Sequence, residues 1–273
     1  MSLFLCPICV KPLTRGETSY TCPNRHSYDI AAAGYTHLLP ANKKNSLQPG
    51  DDKGMVASRS AFLSKGYYAP LRRALCELSL SLSPERVTVF DSGCGEGYYT
   101  AGIYEALCAA GRKVQIAGID ISKFAVQRAA KKVKSGEFAV ASAYHLPVAD
   151  ASCDLLINCF SPLALEEFYR VLKSGGYFFY VVPGANHLWE MKEVLYPTPY
   201  PNEEKLTPYE GFSYVEVRHV EDAITLTSQE DIFALFQMTP YYWKTPKDGV
   251  ERLKKLTTLT TAIDFDIHVF RKE

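Results

Sequence analysis

Apolar residues follow two periodicities over the last two thirds of the chain, and together they predict a sheet flanked by helices. From residue 84 onward, short apolar runs of strand length recur between amphipathic segments of helical period. Strands are predicted at 87–90, 114–119, 138–141, 153–159, 177–182, 214–220 and 265–270, and helices at 99–110, 122–133, 163–172 and 228–237. Because strands and helices alternate, the predicted fold class is α/β with a doubly wound, mostly parallel sheet of seven strands.

The first quarter of the chain lacks this pattern. Residues 1–37 are punctuated by Cys, Pro and Gly and hold no amphipathic run long enough to form a core, so something other than apolar burial must hold them. Residues 38–56 contain Pro40, Pro49-Gly50 and paired lysines, which predicts a mobile, basic linker. We therefore expect a small module (1–37), a linker (38–56) and a main domain (57–273). The main domain is expected to begin with helix, break and helix.

Three glycines follow the first strand of the predicted sheet, in the run Asp91-Ser92-Gly93-Cys94-Gly95-Glu96-Gly97. Glycines allow positive φ and let the backbone approach a ligand, while Asp91 lies where it can meet an ammonium group. A dinucleotide site usually has the spacing G-x-G-x-x-G, whereas the spacing here is G-x-G-x-G after an acid. A second acid, Asp120, ends the next strand, where a ribose diol would lie. The alternatives are an NAD site and a plain tight turn with Asp120 as a helix cap.

Four potential metal ligands lie near the N-terminus. Cys6, Cys9, Cys22 and His26 have the spacing C-x2-C-x12-C-x3-H, which suits tetrahedral zinc in a zinc-ribbon-like fold. Four protein ligands leave no open position for water, so we expect a structural site. His37 is the alternative fourth ligand. A redox dithiol is disfavoured, because the thioredoxin-like strand and helix context is missing.

Charge is balanced over the whole chain but not along it. Lys plus Arg and Asp plus Glu both number 30, yet residues 1–73 carry ten bases against four acids, a formal +6. An anionic partner is therefore expected to meet the N-terminal part first. That part offers cations for phosphate contacts and aromatic faces for unstacked bases, which is typical of an RNA reader. These residues are Lys11, Arg15, Arg25, Tyr20, Tyr28 and Tyr35. The alternative is that the tyrosines fill a small zinc fold.

The location expected from the sequence is cytoplasmic. No apolar run approaches the roughly 18 residues that a membrane span needs, so no membrane partner is expected. The N-terminus also has no basic segment, long apolar segment or small-residue cleavage site that would indicate export.

Further short motifs extend the pattern over essentially the whole chain. They are G-Y at 34–35, L-L-P at 38–40, G-x-Y-x-P-L at 66–71, G-A-N-H-L at 184–188 and Q-M-T-P at 237–240. With the Cys/His cluster and the run 91–100, this combination resembles the bacterial 23S ribosomal RNA guanine-N1 methyltransferase family. The glycine spacing resembles the first motif of class I methyltransferases, in which the loop holds the amino acid half of S-adenosylmethionine.

The resemblance implies a Rossmann-like class I methyltransferase fold with S-adenosylmethionine as cofactor and a structural zinc ion on Cys6, Cys9, Cys22 and His26. It further implies cofactor contacts from Tyr68, Gly95, Glu96, Asp120 and His187. The implied reaction is methyl transfer to N1 of a guanine in a 23S rRNA hairpin loop, and the implied assembly is a homodimer. One departure is the absence of an acid after the third strand, where the chain has Ala141-Ser142-Ala143-Tyr144.

The end of the fourth strand is where the acceptor base is expected. Asn158-Cys159-Phe160 stands there instead of the N-P-P-Y or D-P-P-Y of base-amine methyltransferases, which fits a ring-nitrogen target better. Asn158 and Phe160 are the candidates to hydrogen-bond and stack on the guanine, with Trp243 and Tyr241-Tyr242 as further stacking candidates. No general base is identifiable.

Two other functions are alternatives to RNA methylation. One is a small-molecule methyltransferase with a purely structural zinc module. The other is a non-enzymatic RNA-binding protein, which the intact acids and glycines disfavour. If the two units are separate, zinc removal is expected to abolish RNA binding and leave cofactor affinity largely intact.

Overall fold

The computed structural model describes residues 2–40, 50–203 and 207–273. The strands in these ranges form two sheets. The small sheet is antiparallel and consists of β1 (Thr14–Arg15), β2 (Ser19–Thr21) and β3 (Ser27–Asp29). The large sheet consists of β4 (Tyr35–His37), β5 (Arg86–Ser92), β6 (Lys113–Asp120), β7 (Glu137–Val140), β8 (Cys153–Cys159), β9 (Leu172–Pro183), β10 (Phe212–Leu226) and β11 (Leu259–Lys272).

The large sheet has the strand order β10-β11-β9-β8-β5-β6-β7-β4. The six strands from β9 to β4 run parallel. β11 pairs antiparallel with β9, and β10 pairs antiparallel with β11. The chain adds β6 and β7 on one side of β5 and β8 and β9 on the other, which creates a crevice at the carboxyl ends of β5 and β8, where ligands bind in such folds. The predicted fold class is confirmed. The sheet has one strand more than expected, because β4 pairs in parallel with β7.

Nine helices lie in the described ranges. They are α1 (Lys53–Ser64), α2 (Ala69–Leu82), α3 (Tyr98–Ala109), α4 (Lys123–Lys132), α5 (Leu165–Val171), α6 (Trp189–Leu195), α7 (Gln229–Gln237), α8 (Tyr241–Lys244) and α9 (Lys247–Lys254). The predicted helix N-cap at Ser122 is present, since its side chain accepts a hydrogen bond from the Ala125 N–H. Among the described helices, none is long and apolar enough to cross a membrane.

The last two strands are much longer than their apolar cores predicted. β10 and β11 pair continuously from the Phe212–Lys272 end to the Leu226–Leu259 end, with one bulge near Tyr214. The prediction was too short because the far end of this pair is rich in threonine, which carries no apolar signal. The β-branched threonine side chain nevertheless suits an extended strand.

The expected boundaries of the linker do not coincide with a break in the structure. β4, at the end of the expected small module, belongs to the large sheet, and the Leu38 N–H then donates to the Val140 carbonyl at 2.9 Å. At the other end, α1 already begins at Lys53, because the Asp52 side chain caps it by accepting from the Met55 N–H. Residues 41–49 of the expected linker lie outside the described residues.

Both faces of the large sheet are buried. α1 to α4 and α6, α7 and α9 contribute to the core on one face. The core on the other face combines α5 with apolar residues of the N-terminal segment, namely Leu3, Phe4, Leu13, Tyr20 and Leu38. The N-terminal segment thus shares a core with the main sheet.

Candidate cofactor site and metal centre

The loop after β5 needs glycine at two positions for different steric reasons. Gly93 has φ +88°, and a Cβ atom there would lie 1.9 Å from the Ser161 Oγ. Gly97 has φ +82° at the N-terminus of α3, and a Cβ atom there would lie 2.8 Å from the Ala129 Cα. Left-handed backbone and lack of space exclude larger residues at both positions. The loop is therefore drawn tightly against β8 and α4.

The two predicted acids lie at the carboxyl ends of neighbouring strands. Asp91 is buried, and its Oδ2 accepts a hydrogen bond from the Thr100 hydroxyl at 2.5 Å. No described residue hydrogen-bonds to its Oδ1, which is also buried. Burial raises the pKa of Asp91 to about 7, and the nearby Asp120 carboxylate adds to the increase. An unpaired buried carboxylate oxygen beside a cavity is a suitable partner for an ammonium group.

Asp120 has a different environment. Its Oδ2 accepts from the Gly95 N–H at 3.0 Å and its Oδ1 from the Ser122 N–H at 2.8 Å. Burial raises its pKa, and these two hydrogen bonds oppose the increase. The backbone thus fixes the carboxylate, and each oxygen still has a second acceptor position for a hydroxyl group.

Both acids and the glycine loop line one cavity of about 750 Å³. The opposite wall includes Tyr68, His187 and Phe265, whose rings pack edge to face or tilted with centroids 4.5–6.1 Å apart. The His187 Nδ1 accepts from the Asp264 N–H at 3.2 Å, so the proton is on Nε2, which lies 3.4 Å from the Tyr68 hydroxyl. Burial lowers the pKa of His187 to about 3, so the ring is neutral near pH 7.

The remaining predicted loop residue, Glu96, is a buried carboxylate held by two partners. Its Oε2 pairs with the Lys132 ammonium and accepts from the Ser60 hydroxyl at 3.2 Å. Its Oε1 is buried without a hydrogen-bond partner among the described residues. Glu96 also lines the cavity, so this free oxygen is available to a ligand hydroxyl.

The predicted metal ligands converge on one point. Single donor atoms from Cys6, Cys9, Cys22 and His26 lie within 4.8 Å of one another, and His37 is not part of this group. The Cys6 and Cys22 sulfurs each lie 3.4 Å from the His26 Nδ1, and the Cys9 and Cys22 sulfurs are 3.6 Å apart. A zinc ion about 2.0–2.3 Å from each donor needs this spacing. The arrangement fits a closed, tetrahedral site.

Hydrogen bonds around Cys6, one of the three thiols of this cluster, favour its metal-binding form. Burial disfavours a thiolate at Cys6, but the Tyr28 hydroxyl, 3.0 Å from its sulfur, and the Cys9 and Ile8 N–H groups donate to it. Together these hydrogen bonds lower the pKa of Cys6 to about 6. Metal ligation requires the thiolate, so the hydrogen bonds favour the form that binds.

Two protein families match separate parts of the chain. A zinc ribbon described as "RlmA, N-terminal" matches residues 4–47, and a "Methyltransferase domain" matches residues 84–207. A Bacillus subtilis protein named "Putative 23S rRNA (guanine-N(1)-)-methyltransferase YxjB" is 33% identical over 99% of this chain and 98% of that protein. The chain belongs to the 23S rRNA (guanine-N(1)-)-methyltransferase family.

The chain is also similar to another member of this family and, in its fold, to one solved structure. The Streptomyces fradiae "23S rRNA (guanine(748)-N(1))-methyltransferase" is 33% identical over 70% of this chain and 66% of that protein. The crystal structure of the YcgJ protein of Bacillus subtilis is similar with a TM-score of 0.53 and 16% identity, covering 74% of this chain and 98% of that chain. The latter likeness concerns the fold alone.

Family membership confirms the resemblance stated above, together with S-adenosylmethionine dependence and a structural zinc ion. The cavity fits the cofactor on its own evidence, because the orphaned Asp91 oxygen and the fixed Asp120 carboxylate match an ammonium group and a ribose diol. The individual contacts predicted for Tyr68, Glu96 and His187 stay predictions. The structure brings all three to the cavity wall.

The two acceptor candidates differ in position. Phe160 lines the cavity mouth with 46% of its surface exposed, and its backbone has φ +53°, which is strained for a non-glycine residue. Asn158 is fully buried outside the cavity lining, and its amide donates to the Ser92 and Pro162 carbonyls. Its visible role is to hold the glycine loop and the segment after β8 together.

Sequence reasoning missed part of the lining. Gly50, Asp51, Met55 and Arg59 line the cavity, although most of them were assigned to the linker. The capping pattern at Asp52 was the signal that could have extended the first helix backwards. Phe265 lies in the middle of the antiparallel strand β11, and no local pattern indicated that this part of the strand lines the cofactor cavity.

Proposed function

We propose that this protein transfers a methyl group from S-adenosylmethionine to N1 of a guanine in a hairpin loop of 23S rRNA. The observation that carries the proposal is the position of Phe160. An exposed aromatic ring on strained backbone stands in the mouth of the cofactor cavity, at the end of β8. Stacking on such a ring selects a planar base that has been turned out of its helix. Family membership supports guanine N1 of 23S rRNA as the acceptor.

Four residues of the cavity are proposed to surround the cofactor. Asp91 would hold the ammonium group and Asp120 the ribose hydroxyls, while Tyr68 and His187 form the opposite wall. When bound, S-adenosylmethionine supplies an electrophilic methyl group. Because His187 Nε2–H faces the Tyr68 oxygen, the Tyr68 hydroxyl keeps its own proton for an acceptor in the cavity. Burial raises the pKa of Tyr68, so it acts as a donor and not as a base.

Methylation at N1 also requires loss of the N1 proton, which passes to bulk water at the solvent-exposed mouth of the cavity where Phe160 lies. Phe160 lies near Tyr99 and Phe265, with ring centroids 6.4 and 5.5 Å away, so its ring is supported from behind. A fixed platform holds the base plane and directs its Watson–Crick edge toward the cofactor, which lowers the entropic cost of the near-attack geometry.

The zinc module is proposed to read the RNA around the target base. Lys11, Arg15 and Arg25 are exposed on it and offer phosphate contacts. A ribosomal RNA substrate supports a cytoplasmic location for the proposed activity. The homodimer stays a prediction from the resemblance.

The decisive assay combines tritiated cofactor with 23S rRNA from a strain that lacks this gene, followed by primer extension. N1 methylation blocks Watson–Crick pairing and stops reverse transcriptase, so the proposal requires a stop at one guanine of a hairpin loop. Radioactivity in small molecules or protein, with none in RNA, would favour a small-molecule methyltransferase instead.

Phe160→Ala is expected to weaken RNA binding by about 1–3 kcal/mol, roughly 5- to 150-fold. Affinity for S-adenosylhomocysteine serves as the control and should change little.

A further inference from the structure

The zinc ribbon contacts the main sheet through a buried carboxylate. Glu137, the first residue of β7, has only 8% of its surface exposed. Its side chain accepts hydrogen bonds from the Ser2 hydroxyl at 2.6 Å, the Leu3 N–H at 3.1 Å and the Tyr20 hydroxyl at 3.1 Å. All three donors belong to the N-terminal segment. A buried carboxylate is stable only when such donors satisfy it, so Glu137 depends on the folded ribbon.

One of these donors, Tyr20, lies close to the metal ligands in sequence and packs against a residue near another ligand. Tyr20 lies on β2, two residues before the metal ligand Cys22, and is 1% exposed. Its ring packs edge to face on Phe4, with centroids 6.2 Å apart, and Phe4 lies two residues before Cys6. Both side chains are therefore placed by the part of the chain that zinc holds together.

The same ribbon holds the cavity loop 141–147 at both ends. Before the loop, the Leu38 N–H donates to the Val140 carbonyl at 2.9 Å. After the loop, the Leu5 N–H donates to the Pro147 carbonyl at 2.8 Å, and Phe4 forms a β-bridge with Val148. Residues 141–144 of this loop line the cofactor cavity, at the position where the family pattern would have an acid.

From these contacts we propose that the zinc ribbon forms part of the cofactor site, with Glu137 as the positioning residue that couples the two. Zinc orders the ribbon, and the ribbon fixes Glu137, β7 and both ends of the loop that closes one side of the cavity. Without the metal, the buried Glu137 loses its donors and the loop keeps only the contacts made by the main domain. One of these is the Leu146 N–H donating to the Glu167 carboxylate at 2.5 Å.

Coupling of this kind is reciprocal, which gives two independent measurements. Zinc should raise the affinity for S-adenosylhomocysteine, and S-adenosylhomocysteine should raise the affinity for zinc by the same factor. This differs from the expectation for separate units, in which removal of zinc leaves cofactor affinity intact. The inference rests on the assigned cofactor cavity and not on the RNA substrate.

The test uses the full chain loaded with zinc and compares Glu137→Gln with Glu17→Gln. The control makes the same chemical change at an exposed carboxylate of the same ribbon. Calorimetry with S-adenosylhomocysteine should show roughly tenfold weaker binding for Glu137→Gln, within the usual range of coupling between sites, and unchanged binding for the control. Zinc content is measured on each sample, so that only variants with one zinc per chain are compared.

Equilibrium competition for zinc with a chromogenic chelator supplies the second readout. Saturating S-adenosylhomocysteine should raise the zinc affinity of the wild type by roughly the same tenfold factor and have little effect on Glu137→Gln. If Glu137→Gln does not fold, Tyr20→Phe removes one of the three donors to the carboxylate. It should weaken S-adenosylhomocysteine binding by less than the roughly tenfold loss expected for Glu137→Gln. Variants that keep zinc and bind S-adenosylhomocysteine like the wild type would overturn the inference. A wild type that binds S-adenosylhomocysteine but methylates no RNA would overturn the proposed function alone.

Discussion

Replacing Gly93 with alanine tests whether the glycine loop is shaped by steric fit against β8. The new methyl group would lie 1.9 Å from the Ser161 Oγ and 2.4 Å from its Cβ, at a backbone φ of +88°. Gly111 provides the matched control, because it has φ +76° but nothing within 4 Å of an added Cβ. The two substitutions share the backbone strain, and only the first adds a clash.

Backbone strain and steric clash are expected to contribute by different amounts. Left-handed backbone costs a non-glycine residue about 1–2 kcal/mol, so Gly111→Ala should lower the free energy of unfolding by about that amount. Gly93→Ala should lower it by about 2–5 kcal/mol, because overpacking of a filled site typically costs a further 1–3 kcal/mol. Ser161 lines the cavity, so its displacement should also weaken S-adenosylhomocysteine binding. Gly111→Ala should leave binding unchanged.

Urea unfolding with a common m-value measures the first quantity and calorimetry the second. A double-mutant cycle with Ser161→Gly isolates the clash, since removing the serine side chain should restore most of the steric loss but none of the strain. Equal losses for Gly93→Ala and Gly111→Ala, or no rescue by Ser161→Gly, would refute the steric explanation.

Three further predictions concern ionisable groups of the same site. S-adenosylmethionine affinity, measured by calorimetry, should fall as the pH drops through about 7, because Asp91 takes up a proton and no longer attracts the ammonium group; Asp91→Asn should abolish this dependence. Lys132→Met should cost about 1–3 kcal/mol in urea unfolding, because the buried Glu96 carboxylate keeps only the Ser60 hydroxyl as a partner, whereas Lys113→Met, in an exposed pair, should cost under about 1 kcal/mol. Burial holds the pKa of His187 near 3, below its usual 6.5, so the unfolded chain gains a proton first and His187→Gln should reduce the loss of stability between pH 6.5 and 3.

The elements that determine the fold class have local signals in the sequence. The run from β5 through Gly97 predicts strand, tight loop and helix because only glycine tolerates the backbone and the space at Gly93 and Gly97. The position of Asp120 beside the glycine loop was also predictable, because parallel strands end at the same edge of a sheet. The zinc ligands were predictable because Cys and His at fixed spacing have few other uses.

Only the tertiary structure decided how these parts are joined. The pairing of β4 with β7, the three hydrogen bonds to Glu137 and the position of Phe265 link residues far apart in sequence, and local patterns carry no information about such partners. The burial of Asn158 against the glycine loop likewise depends on long-range contacts. Sequence periodicity reports which face of an element is apolar, whereas the partner of that face is selected by packing of the whole chain. For this reason the sequence determined the chemistry of two sites, and the folded structure determined that the zinc ribbon and the cofactor cavity share one sheet and one core.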